Sequence, residues 1–299
     1  MRNSIMDNIT PGTLRSQLTL ELGYDIERKK AFIILEGTAD VKCMQKMFLR
    51  DTTKLFHARG GVDAVVENCT AFINDSRVIG IRDRDYDDVN GNLTNLFYYD
   101  HCNLEMMIIS NDNAFCGFCD EYYYGEQSYD ELREEVLRAL FGISLIRMAN
   151  TKDEKAIAFP KFPFKEIWNE STSRLELNRV IEILLANNVH NNGVDENYIR
   201  TVINSRDASS ASYRELIDVT NGHDFIGLLA IVLFLECKKV KDFTKEQGYG
   251  EEIISLRNLK NEEIESALHC TFTQECFRST DLYQSLLEYS RDHNLSIFS

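Results

Sequence analysis

Arg77-Val78-Ile79-Gly80-Ile81 runs directly into Arg82-Asp83-Arg84-Asp85-Tyr86-Asp87-Asp88. Upstream, Ala31-Phe32-Ile33-Ile34-Leu35 runs in the same way into Glu36-Gly37-Thr38-Ala39-Asp40. Short apolar runs rich in β-branched residues and bounded by Gly and Asp read as strands buried on both faces, the mark of a parallel sheet. Such sheets take their ligands beyond the carboxyl ends of their strands. If these two strands are neighbours, Glu36, Asp83 and Asp85 converge on one spot. Clustered carboxylates repel one another, and burial raises the cost. A hard divalent cation compensates them, and Mg²⁺ prefers a few carboxylates with water and phosphate oxygens. The pattern points to phosphodiester chemistry.

Outward from these two runs the chain alternates strand and helix. Val41, Met44, Met47 and Phe48 form the apolar stripe of a helix after the first strand, with Asp40 expected as its N-cap. Lys54–Ala58 reads as a second strand, Gly60-Gly61 as a turn, and Val62–Ile73 as a helix with Val65, Val66, Cys69 and Phe72 inward. Asn95–Tyr99 reads as a fourth strand. This rhythm predicts an α/β fold with a mostly parallel sheet flanked by helices.

Past residue 105 the pattern turns helical, over Tyr129–Met148, Ser173–Asn187, Glu196–Ser205, Tyr213–Val219, Phe225–Lys239, Glu251–Leu268 and Asp281–His293. Lys152–Asn169, with Pro160 and Pro163, reads as a connector. The expected division is an N-terminal extension over 1–27, a catalytic α/β domain over 28–110 and a helical region over 111–299. Within the extension, Thr13–Leu22 suits a short helix or an added strand.

The candidate site residues follow from position. Glu36 stands where its strand ends, suited to bind a cation or to act as general base on an attacking water. Asp83 and Asp85 alternate, so an extended backbone puts both carboxylates on one face and Arg82 and Arg84 on the other. Glu105 opens the apolar helix Met106-Met107-Ile108-Ile109 and is the candidate ligand for a second cation; favourable charge in a first helical turn is the plainer account. Asp40 is a further candidate ligand, compatible with capping. Asp87 and Asp88 are weaker candidates. His101 suits orienting a phosphate or Glu105, or a structural role. Asp224 reads as a cap for the helix Phe225–Leu235, with His223 packed beside it.

Glu36-Gly37-Thr38-Ala39-Asp40 and Asp83-Arg84-Asp85, each after a strand, resemble the Toprim motif of primases, topoisomerases and certain nucleases. Asp100-His101-Cys102-Asn103-Leu104-Glu105 resembles the H-x-x-L-E segment of the Toprim-like family called domain of unknown function 4435. Asn221-Gly222-His223-Asp224 resembles that family's GHD segment. The family includes the nuclease effector of the PARIS anti-phage system. The resemblance covers roughly residues 28–235 as an ordered set of motifs. It implies a Mg²⁺- or Mn²⁺-dependent nuclease effector, held by an ABC-type ATPase sensor. Once released, it would form a homodimer and cut RNA, with tRNA as the expected substrate. A DNA endonuclease of the overcoming-lysogenization-defect type is the alternative, as is a non-catalytic regulatory subunit of an ATPase.

Composition bounds these readings. The formal net charge of −15 is awkward for a protein that grips a polyanion, so local basic groups must do it. The candidates are Arg28, Lys29, Lys30, Arg82, Arg84 and Lys238-Lys239. The first three enter the strand that Glu36 leaves, so a strand length of roughly 17–20 Å separates them from the site. An acidic body also suits docking on a basic partner. Cys116-Gly117-Phe118-Cys119 lacks a second CxxC to complete a zinc site, and the 8 Cys are expected to be reduced thiols. The run Phe225–Leu235 is too short to span a bilayer and the first residues lack a signal peptide's apolar core. A cytoplasmic protein is expected. There is no P-loop and no G-x-S-x-G elbow.

Overall fold

A computed structural model of the protein describes residues 11–86, 93–191, 193–246 and 259–298. The chain forms two compact units, one of residues 1–107 with 272–299 and the other of 108–271.

The first unit opens with helix α1 (Pro11–Tyr24). It then alternates β1 (Ala31–Leu35), α2 (Thr38–Met44), β2 (Thr53–His57), α3 (Gly61–Ala71), β3 (Val78–Arg82) and β4 (Leu96–Tyr98). Helix α4 (Leu104–Ser110) carries the chain into the second unit. The sheet order is β2-β1-β3-β4 and every neighbouring pair is parallel. β1 and β3 are buried along their whole length, which is why neither alternates apolar with polar residues. The fold class is therefore α/β with a parallel sheet flanked by helices and a helical region beyond it.

The core of this unit joins Phe32 and Ile34 of β1 to Val65 and Cys69 of α3, with Leu14 and Leu18 of α1. Helices α13 (Gln274–Arg278) and α14 (Asp281–Asp292) return to the same unit. Asp100 accepts the Asp281 and Leu282 N–H groups at 2.8 and 2.9 Å, fixing the start of α14, and Tyr289 donates to the Ser76 carbonyl.

Gly80 lets α3 lie close on β3. A Cβ there would stand 2.3 Å from the Cys69 Sγ and 2.9 Å from Val65 Cγ1. Gly80→Ala is expected to cost about 1–3 kcal/mol through overpacking, seen as a lower urea midpoint at unchanged slope. An unchanged midpoint would show that the helix can back away from the strand.

The second unit holds α5 (Asp112–Tyr122), α6 (Tyr129–Lys152), α7 (Phe164–Ile167), α8 (Leu177–Asn187), α9 (Glu196–Ile203), α10 (Tyr213–Val219), α11 (Gly222–Glu246) and α12 (Asn261–Thr271). A two-stranded antiparallel ribbon, β5 (Trp168–Asn169) with β6 (Arg174–Leu175), interrupts them. Ser128 and Glu131 close a capping box on α6, as Ser212 and Glu215 do on α10. The helix expected over Glu251–Leu268 is α12, and residues 251–258 lie outside the described residues. Among the described residues no single helix is long and apolar enough to cross a membrane.

Candidate carboxylate site at the sheet switch point

From β1 the chain moves outward to β2, then crosses back to β3 on the other side of β1. The carboxyl ends of β1 and β3 therefore flank the point where the winding reverses, the usual ligand crevice of such sheets. The register pairs Phe32 with Val78 and Ile34 with Gly80. It delivers Glu36 and Asp83 side by side as the two strands run out. The Asp83 N–H donates to Glu36 Oε1 at 2.6 Å. Glu36, Asp83 and Asp85 come together as the strand ends predict.

The cluster is larger than that trio. Burial first, then the charges of Glu36, Glu105, Asp40 and Asp85, push Asp83 up to about 9. Burial likewise pushes Glu36 up to about 7, against the Asp83 N–H bond that opposes the rise; Asp40 and Asp85 add to it. All five carboxylates thus share one electrostatic neighbourhood. Glu105 is 8% exposed, in the first turn of α4, and Asp83 Oδ1 accepts the Leu104 N–H at 3.4 Å.

Two local expectations need correction. The backbone does not stay extended through Asp85, which has φ 48° and donates its N–H to the Cys102 carbonyl at 2.7 Å. Asp85 joins the cluster through this turn and not through strand alternation. Nor does Asp40 cap α2: the N-cap is Gly37, without a side-chain bond, and Asp40 lies in the first turn. Asp87 and Asp88 fall outside the described residues.

Sequence reasoning missed Tyr99. It is fully buried at the end of β4 and its hydroxyl donates to Asp40 Oδ2 at 3.3 Å. Burial, with Asp40 and Asp83 nearby, holds the phenol well above its usual pKa, so it remains a donor. Its aromatic strand setting gave no sign of this, because Tyr fills a strand equally well for packing. His101, with φ 63°, follows Asp100, whose carboxyl is pushed up by burial despite the Asp281 and Leu282 N–H bonds and, least, the nearby imidazole.

The donor set is made of hard carboxylate oxygens, partly or wholly buried and mutually repelling. That fits Mg²⁺ or Mn²⁺. Among the described residues no group of three or more His, Cys, Asp or Glu side chains is ready-made to hold a metal ion. Mg²⁺ seldom uses a closed protein cage; it takes one or two carboxylates and fills its shell with waters and substrate phosphate. Glu36 and Asp83 are the residues that would hold it most directly, with Asp40, Asp85 and Glu105 around them.

The basic groups sort by sheet end. Arg28, Lys29 and Lys30 precede β1 at the amino edge. Lys29 pairs with Glu27, and Arg28 lies 3.7 Å from Asp75. Arg82 is buried over the Tyr98 ring, its Nε–H on the Asp83 carbonyl. Arg84 is exposed. In the second unit Lys239 pairs with Glu236 and Glu170.

Asp224 does not cap α11. Asn221 does, accepting the His223 and Asp224 N–H groups at 3.0 and 3.4 Å. The Asp224 carboxylate instead takes a two-point contact from Arg147 of α6, at 2.6 and 3.0 Å, largely out of solvent. Arg147→Met leaves that carboxylate buried alone, so about 3–5 kcal/mol of stability should be lost. Chemical denaturation measures it; a loss under 1 kcal/mol would mean water replaces the guanidinium at little cost. The eight cysteines are free; Cys116 and Cys119 lie on α5, where Phe118 packs against Phe115.

No model of a known protein family matches the chain, and no curated protein is similar to it. Fold and site together define an α/β protein with an acidic cluster at its sheet switch point.

Proposed function

We propose that this chain is a divalent-cation-dependent phosphodiesterase acting on nucleic acid. The observation that carries the reading is the convergence of Glu36, Asp40, Asp83, Asp85 and Glu105 at one crevice, with two of the five pushed up by burial and mutual repulsion. A binding surface has no physical need to bury like charges together; strongly shifted acids in a crevice are what reaction chemistry asks for.

A divalent cation bound there would neutralise phosphate charge and make an attacking water more acidic. Glu36, beside that cation, is placed to take the proton from the water. The Asp83 N–H fixes the direction of the Glu36 carboxylate. Tyr99 fixes Asp40 in the same way. RNA as substrate, tRNA foremost, rests on the resemblance to the domain of unknown function 4435 family, as do the ABC-type ATPase sensor, the homodimeric active form and the anti-phage role.

Purified protein is incubated with tRNA and with plasmid DNA, in Mg²⁺, in Mn²⁺ and in EDTA. Cation-dependent cutting of tRNA with plasmid intact supports the full proposal. Cutting of plasmid alone keeps the chemistry and replaces the substrate. No cutting of either in any metal removes the nuclease reading.

A further inference from the structure

A carboxylate cluster explains cation binding but leaves a polyanionic substrate with nothing to grip, and the chain's net charge of −15 opposes it. Most of the cations expected from sequence do not serve, although Arg84 is exposed between Asp83 and Asp85. Arg28, Lys29 and Lys30 stand at the amino edge of the sheet among Asp25, Glu27 and Asp75. Arg82 is buried over Tyr98. A different pair lies at the right edge. His57 ends β2 opposite Leu35, the residue before Glu36, and the Ala58 N–H donates to the Leu35 carbonyl at 2.7 Å. Neighbouring strands lie about 4.8 Å apart, so the end of β2 is one strand from the carboxylates.

Arg59 follows, half-exposed, and its Nε–H donates to His57 Nε2 at 3.3 Å. An acceptor from its own strand end thereby directs the guanidinium. Gly60 and Gly61 come next with φ 125° and 65°, and a Cβ on Gly61 would meet nothing within 4 Å. Gly60 is exposed and the chain at Gly61 leaves room for a bulky backbone to approach.

We propose that Arg59, set by His57, binds a nucleic-acid phosphate next to the one held at the carboxylates. Three neighbouring strand ends then carry, in spatial order, the phosphate grip on edge strand β2, Glu36 on β1 and Asp83 on β3. This rests on the nuclease reading and adds the residues that hold its substrate.

The test measures binding of unfractionated tRNA by the full chain carrying Glu36→Gln, so that the probe is not cut, across a salt series. Adding Arg59→Ala is expected to weaken binding about tenfold or more and to lower the salt slope by about one. Adding Arg59→Lys should keep the slope. Adding Arg28→Ala should change neither. The Mg²⁺-induced rise in melting temperature, measured on otherwise unaltered protein with Arg59→Ala, should match that of the parent. Unchanged tRNA affinity and slope with Arg59→Ala, while the parent binds, overturns the proposal and leaves the nuclease reading standing. A parent that binds neither tRNA nor DNA overturns both.

Discussion

Replacing Glu36 by Gln should lower phosphodiester cleavage by at least ~100-fold, the usual contribution of a positioned general base, while leaving the fold intact. Gln has the shape of Glu and keeps a carbonyl to accept the Asp83 N–H that now lies at 2.6 Å. What it loses is proton affinity near neutral pH. The same change should stabilise the cation-free protein. Glu36 titrates at about 7 in the folded chain against an ordinary 4.5. Its folded pKa is raised, so the carboxyl favours folding most below 4.5 and this is progressively lost as pH rises through 7. Gln has no charge to develop, so the variant and the parent should melt alike at pH 4. The variant should melt higher at pH 8 without Mg²⁺. Opposed changes in activity and stability are what a functional carboxylate under repulsion produces. Full activity in the variant would show that the base lies elsewhere.

Cation binding should release protons. Without a cation, the Glu36–Asp83 pair titrates with apparent values of about 7 and about 9. A cation competes with the proton on Asp83 between those values, and with both protons below the lower one. Affinity for Mg²⁺ or Mn²⁺ should therefore climb about tenfold per pH unit for each proton displaced, and level off above pH 9. Calorimetry in two buffers of different ionisation enthalpy counts the protons directly. The melting temperature without cation should fall as pH rises from 4 towards 9, and saturating Mg²⁺ should restore it increasingly well at higher pH. Cation affinity that is flat with pH would show that these two carboxyls are not where the ion sits.

Much of this was legible in the sequence because burial leaves a simple trace. The strand expected over Ala31–Leu35 has those bounds in the structure, since a strand covered on both faces is apolar throughout. Strand ends then place Glu36 and Asp83 by topology alone. What escaped is whatever depends on a partner far away in sequence. Asp85 reaches the cluster through a left-handed turn tied to Cys102, which alternation cannot foresee. Helix α5 hides around Gly117, a weak helix former. The Asp224 carboxylate looked like a cap because Asp caps helices often; its contact with Arg147 comes from 77 residues upstream. Nothing in its own stretch of sequence singles out Arg59; its place near the site follows from the pairing of β2 with β1.

The unit that bears the carboxylates is built from both flanks of the other, residues 1–107 and 272–299. The Leu49 N–H donates to the Ile297 carbonyl and Asp100 seats the start of α14. During synthesis, then, the strands that carry Glu36 and Asp83 leave the ribosome long before the helices that complete their unit. The nascent chain stays unfinished there until translation has passed residue 272. The unit that bears the carboxylates is therefore completed only after the whole of the other unit has been made.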